Sequence, residues 1–384
     1  MIESGIFGVI ITGGEPLIKK KLTKEVISLF LKNGIDVNLN SNITLFDDDF
    51  IDFLKRVKVG VLTSCPSSNP VSYERMVGVD NYNTFEYNLK KLLQSGINVF
   101  VNMVVTKNNL KEIRSTANKI KQLGCQYFAA TPMALNMDYP RQDLLLTIEE
   151  VRQVIADLLW VNKQLGLNVD ILEALPKCVF PQNILQEKHS FLNRSCQAGK
   201  TVIAVSCNGD VRPCAHNSIS YGNILKDSLR SIWANMDDWR SDLYIPQICK
   251  DCKWLNQCHC GCRTSAYGNS SVWDAKDVWC SEQLQVLPPN NNEQIEVTPE
   301  TNLQLNKEYV YRMEYDDVFV VYNKRSDTYF MINKVLFDFI SYLNKFDTIS
   351  LTGLQKDINE TEYSKSFDEV IGFLLQKKIL KIVV

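Results

Sequence analysis

The sequence predicts an α/β protein made of three parts. Strand-like and helix-like patterns alternate from residue 6 to residue 173, which is typical of helices packed around a parallel sheet. A cysteine-rich segment follows, and a new set of short strand and helix patterns begins at residue 309. With 384 residues, 45% of them hydrophobic, the chain is long enough for two or three domains that each bury a core. We place the parts at residues 1–175, 176–285 and 307–384, with residues 286–306 as a linker.

Each predicted strand of the first part is a short apolar or alternating run followed by apolar residues at helical spacing. These strands are residues 6–12, 35–40, 59–63, 97–105, 126–131 and 167–173. Thr147 and Glu150 have the spacing of a capping box that opens the last helix. Because a strand begins the series and helices separate its members, we expect parallel strands with a ligand site at their carboxyl ends.

The first of these strand ends reads Gly13-Gly14-Glu15-Pro16. Two glycines let a backbone approach a ligand closely, and Glu15 or the free amides can hold a charged group. An ordinary strand-to-helix turn with Pro16 near the helix start explains the same residues. Both interpretations stay open on this motif alone.

Four cysteines follow the spacing Cys249-x2-Cys252-x5-Cys258-x3-Cys262. Three more lie around them, at positions 196, 214 and 280. Thiolates at such short spacings converge on a metal centre, and seven are enough for about two four-coordinate centres. Disulfides are disfavoured because the N-terminus lacks the features of a signal peptide. Zinc would account for the four-cysteine run but leave the other three unused, and spacing alone does not separate zinc from iron–sulfur.

Together these motifs resemble the radical S-adenosylmethionine (SAM) enzymes that carry a SPASM domain. ITGGEPLI is similar to the motif after the second strand of that family. The C-x12-G-x4-C, C-x2-C-x5-C-x3-C and final C are similar to the SPASM pattern, so the resemblance covers residues 6–280. It implies a partial (βα)6-type barrel in residues 1–175 and a SPASM auxiliary iron–sulfur domain in residues 176–285.

The resemblance also assigns the cofactor-binding residues. SAM is expected to contact Gly13, Gly14 and Glu15 through its methionyl amino group. Polar residues at the next strand ends are expected on the ribose side, although ordinary strand-end polarity explains them as well. These residues are Ser41, Asn42, Ser64 and Asn102.

Two auxiliary [4Fe–4S] clusters are implied by the same resemblance. One is expected on Cys249, Cys252, Cys258 and Cys280, and the other on Cys196, Cys214 and Cys262. Some relatives have an eighth ligand where this chain has Ser190, so the second cluster is expected to keep an open iron or to borrow Cys207 or Cys178. The cysteines outside the pattern are expected to be small buried hydrophobes; they are Cys65, Cys125 and Cys260.

Two histidines lie beside the expected ligands. Some relatives carry an acidic base directly after the second SPASM cysteine, where this chain reads Cys214-Ala215-His216. His216 is therefore a candidate for the proton acceptor, with a structural or exposed histidine as the alternative. His259 is expected to support a ligand rather than to be one.

The chain departs from the family at its start. Radical SAM enzymes hold their reactive cluster with C-x3-C-x2-C, a motif that the 384 residues do not contain. We expect an N-terminal truncation, because losing a first βα unit would expose the sheet edge; a relative without that cluster is the alternative. SAM cleavage and a third [4Fe–4S] cluster are expected only if the missing segment exists.

The last part follows a segment rich in Pro, Asn and Glu that reads as a linker. Residues 309–313, 318–322 and 328–332 predict three strands, and three helix patterns follow. This order resembles the PqqD-like winged-helix domain, which implies that a leader peptide adds as a strand to the sheet edge. A DNA-binding winged helix is the first alternative, but no basic recognition face is present; a dimerisation module is the second.

The predicted function is that of a cytoplasmic radical SAM/SPASM oxidoreductase that matures a ribosomally synthesised peptide. Hydrogen abstraction would lead to a thioether or carbon–carbon crosslink, with a reductant such as flavodoxin or ferredoxin. The net charge of −2 and the lack of a long apolar run give no reason to expect nucleic-acid or membrane binding. A non-catalytic partner that binds peptide and clusters is the alternative, and a zinc-bearing binding protein is the third hypothesis.

Overall fold

The computed structural model describes residues 1–187, 189–281, 284, 287–288, 297–313, 318–323, 328–358 and 367–383. Within it the chain forms two compact units, Met1–Pro288 and Pro289–Val384. Among the described residues, no helix is both long and apolar enough to cross a bilayer.

A six-stranded sheet forms the centre of the first unit. Its strands are β1 (Gly8–Ile11), β2 (Asp36–Asn40), β3 (Gly60–Ser64), β4 (Val99–Val105), β5 (Tyr127–Pro132) and β6 (Asn168–Asp170). They lie side by side in chain order, and every neighbouring pair is parallel. The predicted parallel α/β architecture is therefore confirmed. Because all strands run the same way, their carboxyl ends meet at one edge of the sheet.

Six helices connect these strands: α1 (Lys20–Lys32), α2 (Asp48–Val57), α3 (Pro70–Val77), α4 (Tyr82–Gln94), α5 (Ile113–Gln122) and α6 (Ile148–Trp160). The capping box that opens α6 is confirmed, since the backbone N–H of Glu150 donates to Thr147 Oγ1 at 3.2 Å and the N–H of Thr147 donates to Glu150 Oε2 at 2.8 Å. Helix α3 was not predicted. Its first turn depends on Asn69, whose Oδ1 accepts from the N–H groups of Val71 and Ser72.

The core of this unit lies between the sheet and its helices. Leu39 of β2, Val101 of β4 and Phe128 of β5 are fully buried, and they share one apolar cluster with Phe50 of α2 and Leu89 of α4. β2 alternates buried and exposed residues, as a strand with one covered face does. β5 is buried over almost its whole length.

The cysteine-rich part of the first unit contains only short elements. They are β7 (Ala204–Val205), β8 (Asp210–Arg212), β9 (Gly222–Asn223), α7 (Leu229–Ala234), α8 (Asp237–Arg240), α9 (Leu255–Cys258) and α10 (Arg263–Ser270). A small core that includes Val211, Ile232 and Trp239 holds them together. Trp279 donates its indole N–H to the carbonyl of Leu146 at 3.0 Å, which joins this part to the barrel region.

The second unit contains two three-stranded antiparallel sheets. Its elements are β10 (Asn302–Leu305), β11 (Tyr309–Met313), β12 (Val318–Asn323), β13 (Thr328–Asn333), α11 (Lys334–Leu343), β14 (Ile349–Ser350), α12 (Leu351–Ile358), α13 (Phe367–Gln376) and β15 (Leu380–Val383). The sheets have the orders β11-β12-β13 and β14-β10-β15. The three predicted strands and three predicted helices are present. β10 lies inside the range predicted as a linker, residues 286–306, of which residues 286 and 289–296 fall outside the described residues.

Candidate functional site

The carboxyl edge of the sheet brings the Gly-Gly-Glu turn and the end of β2 together. Glu15 Oε1 accepts hydrogen bonds from the backbone N–H of Leu17 at 3.0 Å and from Ser41 Oγ at 2.8 Å. Glu15 Oε2 accepts from the backbone N–H of Asn42 at 2.8 Å. These three donors fix the carboxylate at the strand ends. Since each carboxylate oxygen can accept about two hydrogen bonds, Oε2 keeps capacity for a ligand donor.

Open space lies beside Gly13 and Gly14. A Cβ atom placed on either residue would have no heavy atom within 4 Å. Gly13 also has a φ of 141°, a conformation that other residues rarely adopt. The turn is therefore not packed against the rest of the protein, and a ligand can approach its backbone.

The other predicted residues at this edge take part in local structure. Asn42 Oδ1 accepts from the backbone N–H of Thr44 at 3.0 Å and from its hydroxyl at 2.7 Å, which closes a side-chain turn. Ser64 and Asn102 are directly paired across β3 and β4. Asn102 is buried, and its Oδ1 accepts from Thr131 Oγ1 at 2.7 Å. Ser41, Asn42, Ser64 and Asn102 thus follow successive strands, with Ser41 and Asn42 in contact with Glu15.

Six cysteines line one cavity, which we call the six-thiol site: Cys178, Cys249, Cys252, Cys258, Cys260 and Cys280. It contains all four cysteines that the pattern assigns to one cluster, and the other two were not assigned to it. The thiol of Cys178 lies 3.6 Å from that of Cys280. The backbone N–H of Lys177 donates to Cys258 Sγ at 3.2 Å, as backbone amides do toward cluster thiolates.

Burial and neighbouring thiols shift the acidity of this site. The hydrogen bond to the Cys260 thiol raises the pKa of Cys249 to about 12, and the same bond lowers the pKa of Cys260. Burial raises the pKa of Cys258. With no cation bound, the raised pKa values keep the Cys249 and Cys258 thiols protonated at neutral pH. A coordinating metal deprotonates its thiol ligands outright.

The remaining pattern cysteines form a second group, the three-thiol site: Cys196, Cys214 and Cys262. Burial is the largest cause that raises the pKa of Cys214 and of Cys262. Charge on Cys196 raises both pKa values further, so the three thiols interact. Cys262 caps the N-terminus of α10, where the N–H of Ser265 donates to its sulfur at 3.4 Å. A helix N-terminus favours the thiolate that iron needs.

A carboxylate and a histidine lie next to the three-thiol site. Glu173 follows β6, and its Oε1 is 3.6 Å from Nδ1 of His216. Burial raises the pKa of Glu173. The charge of Glu173 is the largest neighbouring-charge effect on Cys262, ahead of that of Cys196. The sequence pattern did not single out Glu173, because it lies far in the chain from Cys262, the cysteine whose pKa it affects.

Asp277 supports the turn between the two thiol sites. It is buried, with Oδ2 accepting from the N–H of Cys262 at 2.8 Å and Oδ1 accepting from the N–H of Trp279 at 2.9 Å. Burial raises the pKa of Asp277 to about 6. Gly261 has a φ of 72°, and a Cβ there would lie 2.6 Å from Asp277 Oδ2. Glycine is therefore required in the Cys258–Cys262 turn.

The other cysteines occupy different environments. Cys65 and Cys125 are buried in the barrel core, whereas Cys207 is exposed beyond the end of β7. Cys178 lies at the six-thiol site, next to Cys280. The expectation that it could complete the cluster of the three-thiol site is therefore wrong. Ser190 donates its hydroxyl to the carbonyl of Val169.

The thiols of both groups suit a multi-iron cluster. Within the part of the chain that the structure describes, no three His, Cys, Asp or Glu side chains close on a single ion-sized point. The six-thiol cysteines line a cavity instead, where the backbone N–H of Lys177 donates to the sulfur of Cys258. Buried, convergent cysteine sulfurs are the donor set of [4Fe–4S] clusters.

Two protein-family models match this chain. The radical SAM superfamily matches residues 1–120, and the SPASM iron–sulfur cluster-binding domain matches residues 196–253. An AdoMet-dependent heme synthase of Methanosarcina barkeri is 24% identical over 290 residues, 71% of this chain and 81% of that protein. The antilisterial bacteriocin subtilosin biosynthesis protein AlbA of Bacillus subtilis is 26% identical over 239 residues, 61% of this chain and 50% of AlbA.

Solved structures show the same fold. anSMEcpe with bound AdoMet and the Cp18Cys peptide aligns with a TM-score of 0.57 at 18% identity, covering 72% of this chain and 81% of that one. Streptococcus suis SuiB aligns with a TM-score of 0.55 at 16% identity, covering 73% and 68%. The matched domains are those that bind SAM and [4Fe–4S] clusters. The predicted resemblance is thus confirmed for two parts of the chain: residues 1–120 match the radical SAM superfamily, and residues 196–253 match the SPASM iron–sulfur cluster-binding domain.

Proposed function

We propose that this protein is a maturase that modifies a ribosomally synthesised peptide. The observation that carries the proposal is the presence, in one compact unit, of the Glu15 edge and of six thiols that line one cavity. Two similar proteins support the proposal: AlbA is named as a biosynthesis protein of the bacteriocin subtilosin, and SuiB has been solved bound to the precursor peptide SuiA. The reaction we propose is hydrogen abstraction that leads to a thioether or carbon–carbon crosslink.

Glu15 would hold the methionyl ammonium of SAM. Its carboxylate is held by Leu17, Ser41 and Asn42, and Oε2 has capacity for one more donor. Gly13 and Gly14 would admit the ligand to the backbone, since the space beside them is open. Ser64 and Asn102 would line the ribose side from the next strands.

The two thiol sites would each hold an auxiliary cluster. Cys249, Cys252, Cys258 and Cys280 would be the ligands at the six-thiol site. Cys196, Cys214 and Cys262 would be the ligands at the three-thiol site, which leaves one iron open to substrate. Such clusters, when bound, accept the electron that a substrate radical gives up, and flavodoxin or ferredoxin would be the external reductant.

His216 would accept the proton released as the new bond forms. It is partly exposed, it follows Cys214 by two residues, and Glu173 lies 3.6 Å from its Nδ1. The Glu173 carboxylate would orient the imidazole ring.

A non-catalytic partner protein is the second candidate function. The observation that favours it is that the 384 residues contain no C-x3-C-x2-C motif. We therefore assign the cleavage of SAM to no residue of this chain. In this alternative the protein would bind the peptide and two clusters and present the peptide to a separate enzyme.

The second unit would bind the leader of the precursor peptide. β11 and β13 are the outer strands of their sheet, so each has a backbone edge to which an extended peptide can add. α13 packs its apolar face, with Phe367, Ile371 and Leu374, into the core of the unit. The stacked rings of Phe319 and Phe337, with centroids 3.8 Å apart, join β12 to α11.

Two experiments test the proposal. A peptide encoded beside the gene, incubated with the anaerobically reconstituted protein, SAM and dithionite, should lose two hydrogen atoms for each crosslink, as measured by mass spectrometry. An unchanged peptide mass in a preparation that consumes SAM would refute the maturase. Removing residues 309–384 should abolish the rise in fluorescence anisotropy that a labelled leader peptide shows on binding, while the iron content stays constant. Unchanged leader affinity would refute the role of the second unit.

A further inference from the structure

The six-thiol site contains more sulfur than one cluster needs. A [4Fe–4S] cluster offers four irons for protein ligands, and the SPASM pattern supplies these from Cys249, Cys252, Cys258 and Cys280. Cys178 and Cys260 line the same cavity. Cys260 lies between two pattern cysteines, Cys258 and Cys262. Cys178 belongs to a segment that precedes Cys249 by about 70 residues.

The segment that carries Cys178 is held against the cluster site on both sides. Lys177 donates its backbone N–H to Cys258 Sγ at 3.2 Å, and Ser281 donates its hydroxyl to the carbonyl of Cys178 at 2.6 Å. Lys177 is itself buried, and its Nζ donates to the carbonyl of Arg194 at 2.8 Å. The position of Cys178 is therefore built into the site.

The Cys178 sulfur lies beside one particular pattern cysteine. Its distance to Cys280 Sγ is 3.6 Å, close to van der Waals contact. An iron bound by Cys280 is consequently within reach of Cys178 after a change of one side-chain rotamer. Cys280 is the last pattern cysteine, so it is brought to the site separately from the Cys249–Cys262 run.

We propose that Cys178 is an alternate iron ligand of the six-thiol site, which binds the iron otherwise held by Cys280. In the exchange, Cys178 gives up its thiol proton as its sulfur bonds to iron, and the departing Cys280 thiolate takes up a proton. No iron changes its oxidation state and no external reagent is consumed. The site then keeps its cluster when the bond to Cys280 is broken, for example while substrate or partner displaces the segment that carries it.

Iron and acid-labile sulfide per chain test this proposal after anaerobic reconstitution. The variants are Cys280→Ser, Cys280→Ser/Cys178→Ser, and Cys280→Ser/Cys207→Ser as the matched control with an exposed cysteine. We expect Cys280→Ser and the control to keep the wild-type iron content. We expect Cys280→Ser/Cys178→Ser to lose about four irons, one whole cluster. The proposal is overturned if Cys280→Ser alone loses those irons, or if the double variant keeps them.

Alkylation gives a readout that does not depend on the double variant folding. In the loaded wild-type protein, Cys178 carries a free thiol, which iodoacetamide modifies. In loaded Cys280→Ser the same thiol is bound to iron, so we expect at least a tenfold slower modification of Cys178 by peptide mass spectrometry. Equal rates in both proteins would overturn the proposal. Cys178→Ser alone, with the four pattern cysteines intact, should keep the wild-type iron content and melting temperature.

Discussion

Replacing Glu15 by Gln separates the SAM-binding role of this side chain from its structural role. The carboxylate accepts three hydrogen bonds, from Leu17, Ser41 and Asn42. The amide oxygen of Gln keeps the two bonds on the Oε1 side, but its NH2 group then faces the N–H of Asn42. A donor facing a donor loses that bond, and hydrogen bonds to charged groups contribute about 1.5–3 kcal/mol each.

The change in ligand affinity follows from the lost charge. The ammonium of SAM would lose a charge-assisted partner, which is worth about 1.5–3 kcal/mol and corresponds to roughly a 10- to 100-fold higher Kd. Equilibrium dialysis with radiolabelled SAM measures Kd, and thermal unfolding measures the structural cost. Glu25→Gln is the control, because Glu25 is exposed on α1.

The result that would refute the reasoning is a Kd within twofold of wild type for Glu15→Gln in a preparation that is folded at the assay temperature. Glu15 would then cap the turn without touching SAM. A higher Kd in Glu25→Gln as well would show a general charge effect and not a contact.

Two further predictions concern backbone strain and thiol reactivity. Urea denaturation should show that Gly261→Ala lowers the free energy of unfolding by more than Gly34→Ala. Both glycines have a φ of 72°, a conformation that costs another residue about 1–2 kcal/mol. Only at Gly261 would the added Cβ clash, because it would lie 2.6 Å from Asp277 Oδ2. Equal losses would contradict the clash. Burial raises the pKa of Cys65 to about 12, so at pH 8 its thiol stays protonated and iodoacetamide should modify exposed Cys207 first; comparable labelling of Cys65 in the native protein would contradict its burial.

Local sequence signals predicted much of the fold. The alternation of apolar runs located all six parallel strands, because strand and helix periods differ clearly in this chain. The capping box at Thr147 is also a local signal, since its two partners are three residues apart. Helix α3 was missed because it depends on the Asn69 cap and Pro70 rather than on an apolar stripe. β14 was missed because a two-residue strand is defined by its partner β10 alone.

The site was predicted only where its residues are close together in the sequence. Spacing grouped the seven pattern cysteines, because short loops bring their sulfurs together. Cys178 and Glu173 reach their sites through the path of the barrel, so no spacing connects them with Cys280 or Cys262. The bond from Ser41 to Glu15 joins residues that are 26 positions apart, and only the parallel pairing of β1 and β2 brings them together.

Iron and sulfide content of the anaerobically reconstituted protein, with electron paramagnetic resonance spectra recorded with and without SAM, tests the central claim most directly. Two groups of convergent thiols predict about eight irons and eight sulfides per chain, four of each at either site. Stoichiometric zinc in place of iron would contradict the two cluster sites. About four irons per chain would contradict it as well, because one of the two thiol groups would then hold no cluster.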